Sequence, residues 1–179
     1  FVILNQGLDG SSLIVQGDGG SNHIAVYFNG GWTITNDGPI VAGEGCQADS
    51  ASSSVTCPTA TATGLMVITG GTGDDSVDIS QTIPAGVKVR VNGNAGNDTL
   101  SGGPGDDVLE AGENYNSPDS GNDTLVGNVG SDVLYADPGS DQLAGGPGND
   151  LLVSSVEVCQ GHNYSGGPGE DTVSYGRSN

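Results

Sequence analysis

The feature that most limits what this chain can fold into is a nine-residue period. Read from Gly102, GGPGDDVLE has the form Gly-Gly-x-Gly-x-Asp-x-apolar-x. It recurs as GGTGDDSVD from Gly70, GNAGNDTLS from Gly93, GNVGSDVLY from Gly127, ADPGSDQLA from Ala136, GGPGNDLLV from Gly145 and GGPGEDTVS from Gly166. An interrupted copy begins at Ala111 and resumes as GNDTLV from Gly121; a degraded one, GDGGSNHIA from Gly17, has Asn22 where the others have Asp. A short fixed period means one small structural unit stacked on itself, with a core continuous along the stack. Within each unit, glycines permit tight turns that bring carbonyl oxygens to one point, and the Asp two residues after the last glycine adds a charged oxygen there. The apolar residue two positions further on starts a short strand and points inward.

Composition agrees with a stack rather than a compact globule. The 33 glycines lack the three-residue period of collagen, and with one Trp, five Tyr and two Phe the core must be a ladder of Leu, Ile and Val. The 22 acidic residues oppose only Lys88, Arg90 and Arg177, a formal charge of −19. Such a surface repels nucleic acid and anionic lipid, and the sequence has no transmembrane run. The acids also repel one another unless something neutralises them. A turn of converging carbonyls and carboxylates suits Ca²⁺, which takes six to eight hard oxygens in a flexible shell.

These repeats resemble the calcium-binding nonapeptide repeats of the haemolysin-type, or RTX, family, strongly from Gly70 to Tyr175 and weakly before. The resemblance implies an all-β fold, a parallel β-roll or right-handed β-helix, holding several Ca²⁺ ions between stacked turns. The metal-binding residues it points to are Asp75, Asp98, Asp107, Asp123, Asp132, Asp141, Asp150 and Asp171. With them go the turn glycines Gly70, Gly71, Gly73, Gly93, Gly96, Gly102, Gly103, Gly105, Gly127, Gly130, Gly139, Gly145, Gly146, Gly148, Gly166, Gly167 and Gly169. Two nonapeptides make one coil in this family. Counting by that rule puts Asp75, Asp98, Asp123, Asp141 and Asp171 on one edge and Asp107, Asp132 and Asp150 on the other, with about six ion sites between them.

The calcium-binding part is expected over residues 70–179, with two inserted loops, 113–120 and 156–165, bulging from one side. Residues 1–69 are strand-rich without strong ligands and read as metal-poor β-helical turns capping the stack, or as a separate small β-domain. In an exported chain Cys46 and Cys57 read as a disulfide, leaving Cys159 free or paired outside this segment.

Other chemistry is weakly supported. Cys159 and His162 are close in sequence but lack an orienting partner or an oxyanion loop. The adjacent carboxylates Asp74 and Asp75, or Asp106 and Asp107, are a poor match to two groups flanking a glycosidic bond. The threonines of TATAT, from Thr59, form a single rank, which reads as a solvated strand. No catalytic centre is expected. The residues flanking each inward Leu on one side are Val108, Glu110, Val133, Tyr135, Leu151 and Val153, an apolar stripe suited to docking or self-association. Their equivalents on the other side include Thr99, Ser101, Thr124, Gln142, Thr172 and Ser174. The expected function is therefore a secreted, extracellular or cell-surface bacterial module that folds on binding Ca²⁺ and serves as a spacer, adhesin segment or assembly subunit. The alternative is an accessory module of a larger secreted enzyme.

Overall fold

A computed structural model of the chain describes residues 2–6, 12–42, 46–49, 53–58, 65–112, 121–154 and 161–175. The loop 113–120, Cys159 with residues 155–160, and the TATAT threonines lie outside the described residues.

Six residues of turn followed by about three of strand give a chain that reverses direction with every repeat. The strands accordingly alternate between two facing sheets. One contains β8 (Leu65–Thr72), β10 (Lys88–Ala95), β12 (Val108–Glu110), β14 (Val133–Ala136), β16 (Leu151–Ser154) and β18 (Thr172–Tyr175), each parallel to the next. The other contains β9 (Ser76–Ile79), β11 (Thr99–Ser101), β13 (Thr124–Val126), β15 (Gln142–Ala144) and β17 (Asn163–Ser165), again all parallel. This is a parallel β-roll. Turns running from the first sheet to the second form one edge, and turns running back form the other.

Pairing in strict register stacks the inward residues into two ladders. In the first sheet Val91, Leu109, Leu134 and Leu152 lie over one another, and in the second Val77, Leu100, Leu125 and Leu143; all eight are buried. Burying one such side chain stabilises by about 1.5–3 kcal/mol. Each half-coil contributes little more than one, so the core is a thin seam between sheets whose edges are lined with acid.

The roll extends upstream of Gly70 by one coil. β2 (Ser12–Gln16) and β3 (His23–Phe28) flank the degraded repeat and pair in parallel with β8 and β9. Beyond that coil, the β-helical winding expected of residues 1–69 gives way to antiparallel strands. β1 (Val2–Gln6) pairs antiparallel with β2, β4 (Trp32–Thr35) with β3, β7 (Ser54–Cys57) with β4, and β6 (Gln47–Asp49) with β7, while the short β5 (Ile40–Val41) runs parallel to β1. The cause is loop length. Only Asn29, Gly30 and Gly31 join β3 to β4, enough for a hairpin with Gly30 at φ 71° but too few to cross to the facing sheet. Trp32, Ile34 and Val55 bury themselves over this end of the seam, and a disulfide joins Cys46 to Cys57.

Candidate metal centre

Each turn aims its Asp inward at the corner of the roll, where the carboxylate clamps the neighbouring coil. On the first edge the N–H groups of Asn22, Asp75, Asp98 and Asp123 donate to Oδ1 of Asp75, Asp98, Asp123 and Asp141, at 2.7, 2.8, 2.7 and 2.9 Å. On the second edge the N–H groups of Val89, Asp107, Asp132 and Asp150 donate to Oδ1 of Asp107, Asp132, Asp150 and Asp171, at 2.9, 2.8, 2.9 and 3.0 Å. Asp171 therefore stands on the second edge, not the first. The sequence QGHNYS, read as part of an insertion, holds a further half-coil: Asn163 and Tyr164 pair with Gln142 and Leu143, which puts His162 in the Asp position. Its Nδ1 accepts the Asp141 N–H at 3.2 Å, as an aspartate Oδ1 does elsewhere. Burial lowers the pKa of His162, in keeping with a neutral ring.

The second carboxylate oxygen is left over. Oδ2 of Asp75, Asp98, Asp132, Asp141 and Asp150 is buried without a hydrogen-bond partner among the described residues. An orphaned acceptor inside a protein is costly, and a ring of them is costlier. Carbonyl oxygens converge on the same points. A β-carbon placed on Gly70 would lie 2.5 Å from Asp75 Oδ2 and 2.8 Å from the Gly93 carbonyl oxygen, and one on Gly102 would lie 2.9 Å from Asp107 Oδ2 and 2.7 Å from that of Gly127. Hard, anionic, flexible oxygen sets of this kind fit Ca²⁺. Asp107 departs slightly, since its Oδ2 also accepts the Gly103 N–H at 2.8 Å.

Without a cation, burial pushes these carboxyls up: Asp107 and Asp123 to about 6 and Asp98 and Asp132 to about 7, with neighbouring aspartates adding to the effect. Asp75, Asp141 and Asp150 are raised by the same burial. The paired acids Asp74 and Asp106 behave differently. Both are exposed, and their Oδ1 atoms accept the N–H groups of Asn97 and Ser131, so each doublet is one inward carboxylate and one outer clamp.

The degraded repeat shows what the corner does without a metal. The Asn22 amide donates to the Gly20 carbonyl at 2.6 Å, the Gly70 carbonyl at 3.3 Å and Asp75 Oδ1 at 3.2 Å. A neutral donor thus does part of what a cation does elsewhere, and the first coil closes on its own. Replacing Asn22 with Asp removes these donors and sets a carboxylate against Asp75. In excess chelator the variant is expected to lose about 1–3 kcal/mol, as befits a broken buried hydrogen-bond set, and to recover most of it in millimolar calcium. Thermal unfolding under the two conditions measures both numbers; an equal loss in both would mean that Asn22 does not stand in for a cation.

The outward face of the first sheet carries the apolar stripe. Val108, Val133 and Leu151 are in register, as are Glu110, Tyr135 and Val153, and all six are half-buried. Thr172 and Ser174 pair with Leu151 and Val153, so they end this stripe rather than lining the opposite face. The second sheet presents Thr99, Ser101, Thr124 and Gln142 outward.

A two-sheet parallel roll whose corners stack buried aspartates over glycine carbonyls is the architecture of a repeat-built cation-binding module. Residues 90–118 and 117–152 match the family model of the RTX calcium-binding nonapeptide repeat, in four copies. The match is to the repeats of this stretch, which are repeats of a calcium-binding kind and carry no catalytic signature of their own. No curated protein and no solved structure matches the chain. The sequence pattern did not show Asp137 or His162 as members of the corners, because each occupies a repeat position where the motif has another residue; it placed Asn22 in the Asp position but not as a hydrogen-bond donor.

Proposed function

We propose that this is a secreted structural module whose corner aspartates keep it loose where calcium is scarce and lock it into a rod where calcium is abundant. The observation that carries the reading is the row of buried carboxylates with unpartnered Oδ2 atoms facing carbonyl oxygens. A ligand present at a hundredfold excess over its Kd stabilises the folded state by about 2.7 kcal/mol per site. Several such sites together rival the whole stability of an ordinary domain, about 5–15 kcal/mol, so calcium decides folding where the aliphatic seam is thin. The aspartates and turn glycines from Gly70 to Asp171 are the ligands and the ligand-shaping residues. The antiparallel strands of the N-terminal part shield one end of the stack.

The apolar stripe of Val108, Val133, Tyr135, Leu151 and Val153 gives the rod a face for contact with another copy or an extracellular partner, which suits a spacer, adhesin segment or assembly subunit. Sedimentation velocity in millimolar calcium and in excess chelator tests both parts. The expected result is a slow, expanded species in chelator and a faster, compact one in calcium. Identical sedimentation in both would overturn the folding role. Any larger species in calcium is expected to disappear when Val133 and Leu151 are both replaced by Thr; its persistence would remove the stripe from the interface.

A further inference from the structure

In the turn ADPGSD an aspartate, Asp137, stands where the motif has its second glycine. Apart from Asp18 in the degraded turn, which has Asn22 in place of the corner aspartate, the corresponding residues of the other turns are uncharged: Gly71, Asn94, Gly103, Gly112, Asn128, Gly146 and Gly167. Among them Gly71, Asn94, Asn128, Gly146 and Gly167 have φ between 74° and 123°, whereas Asp137 is not in the left-handed region, so an ordinary side chain fits its backbone. That side chain turns into the corner. Asp137 is 3% exposed, and among the described residues neither of its oxygens meets a hydrogen-bond donor. One oxygen each from Asp123, Asp137 and Asp141 lie within 4.8 Å of one another, and Asp123 and Asp141 are 2% and 0% exposed. Gly112, on the adjacent coil, leaves the space open: a β-carbon there would stand 2.6 Å from Asp137 Oδ2 and 3.3 Å from the Asn94 carbonyl oxygen.

We propose that Asp137 turns this corner into a three-carboxylate Ca²⁺ site with Asp123 and Asp141, the most highly charged of the stack and the first to fill. The inference rests on the calcium reading of the repeats and goes beyond it, because the motif itself supplies no carboxylate at this position. Both Asp137 oxygens and Asp141 Oδ2 lack a hydrogen-bond donor among the described residues, and a divalent cation is the simplest group that satisfies them. The next coil favours the same assignment. It offers His162, with Nδ1 3.3 Å from Asp141 Oδ2, instead of an aspartate, so Asp141 Oδ2 meets no second carboxylate from that side. Adding a formal charge to an oxygen cage strengthens Ca²⁺ binding, and an irregular cage of protein oxygens selects Ca²⁺ over the smaller, strictly octahedral Mg²⁺.

The test is a calorimetric calcium titration of the full chain, in competition with a chelator of known affinity, for the wild type and for Asp137→Gly, Asp137→Asn and Asp132→Asn. Asp137→Gly restores the residue of the sister turns, and Asp137→Asn keeps the volume and removes the charge. Both are expected to weaken the tightest class of site about tenfold or more, the size of effect that ligand charge count produces in calcium sites. Asp132→Asn, on the other edge, is expected to weaken calcium binding while leaving the tightest class intact. If the Asp137 variants bind like the wild type while Asp132→Asn weakens binding, Asp137 is no ligand and the repeat reading stands. If the wild type takes up no calcium, both fall together.

Discussion

Held in excess chelator, the chain is expected to be expanded at about pH 8 and to regain compact β-structure as the solution is acidified to about pH 5. The argument is one of linkage. Burial raises Asp107 and Asp123 to about 6, Asp98 and Asp132 to about 7 and Asp137 to about 8 in the metal-free roll, above the ordinary aspartate value of about 4 that they regain on unfolding. Between those values the folded state holds protons that the unfolded chain releases. Their stabilising contribution is complete below pH 4 and is lost as pH rises through 6 to 8. Asp18 and Asp74 are lowered, by hydrogen bonds to their carboxylates, and work in the opposite direction, but both lie at the surface and weigh little. Protons thus replace calcium as the neutralising partner. In millimolar calcium the slope reverses, because Ca²⁺ requires the ionised carboxylates and competes with the proton for them. Circular dichroism and sedimentation across the pH range in both conditions check the two slopes. A chelated chain equally folded at pH 8 and pH 5 would mean that the corner charges do not govern folding.

The roll was legible in the sequence because its cause is local. Nine residues contain the turn, the clamp and one core side chain, so the spacing of Gly and Asp from Gly70 onward predicts the alternation of strands between two sheets. What the spacing did not carry depends on geometry outside the motif. His162 takes the place of an aspartate because its Nδ1 sits where an aspartate Oδ1 would, an equivalence of atoms rather than of residue types. Missing it shifted the count by half a coil and put Asp171 on the wrong edge. Asp137 was invisible for a related reason: the motif asks for glycine there because most of these turns pass through positive φ, and this one does not. The antiparallel pairing beyond the first coil follows from the three-residue link between β3 and β4, and the apolar alternation of those strands is the same for a hairpin as for a coil. Asn22 looked like a damaged ligand. Its three hydrogen bonds show a replacement that removes the need for a metal.

The motif's last glycine has the strictest requirement, and Gly130→Ala is expected to be among the most damaging single substitutions in the roll. Gly130 has φ 143°, in a region that residues with a side chain rarely enter, and its N–H donates to the Pro147 carbonyl at 3.0 Å. An added β-carbon would overlap the carbonyl oxygen of Gly105, the equivalent residue of the preceding coil. The neighbours cannot easily retreat. Gly105 donates to the Val129 carbonyl at 2.7 Å, and the coils are held at strand spacing by the sheets on either side. Moving the backbone into an allowed region breaks the Pro147 bond and disturbs the nearby Gly127 carbonyl, which converges with Asp107 Oδ2 at the corner. Leaving it in place costs about 1–3 kcal/mol in strained backbone, with a similar sum for overpacking. The expected loss is therefore about 3–5 kcal/mol, seen as a lower thermal midpoint in saturating calcium and a higher calcium requirement for folding. Val129→Ala is the control: the side chain next door is 53% exposed, and its removal should change stability by no more than about 0.5 kcal/mol. A Gly130→Ala chain as stable as that control would show that adjacent coils can separate without penalty, and the rigid stacking on which the calcium corners depend would have to be given up.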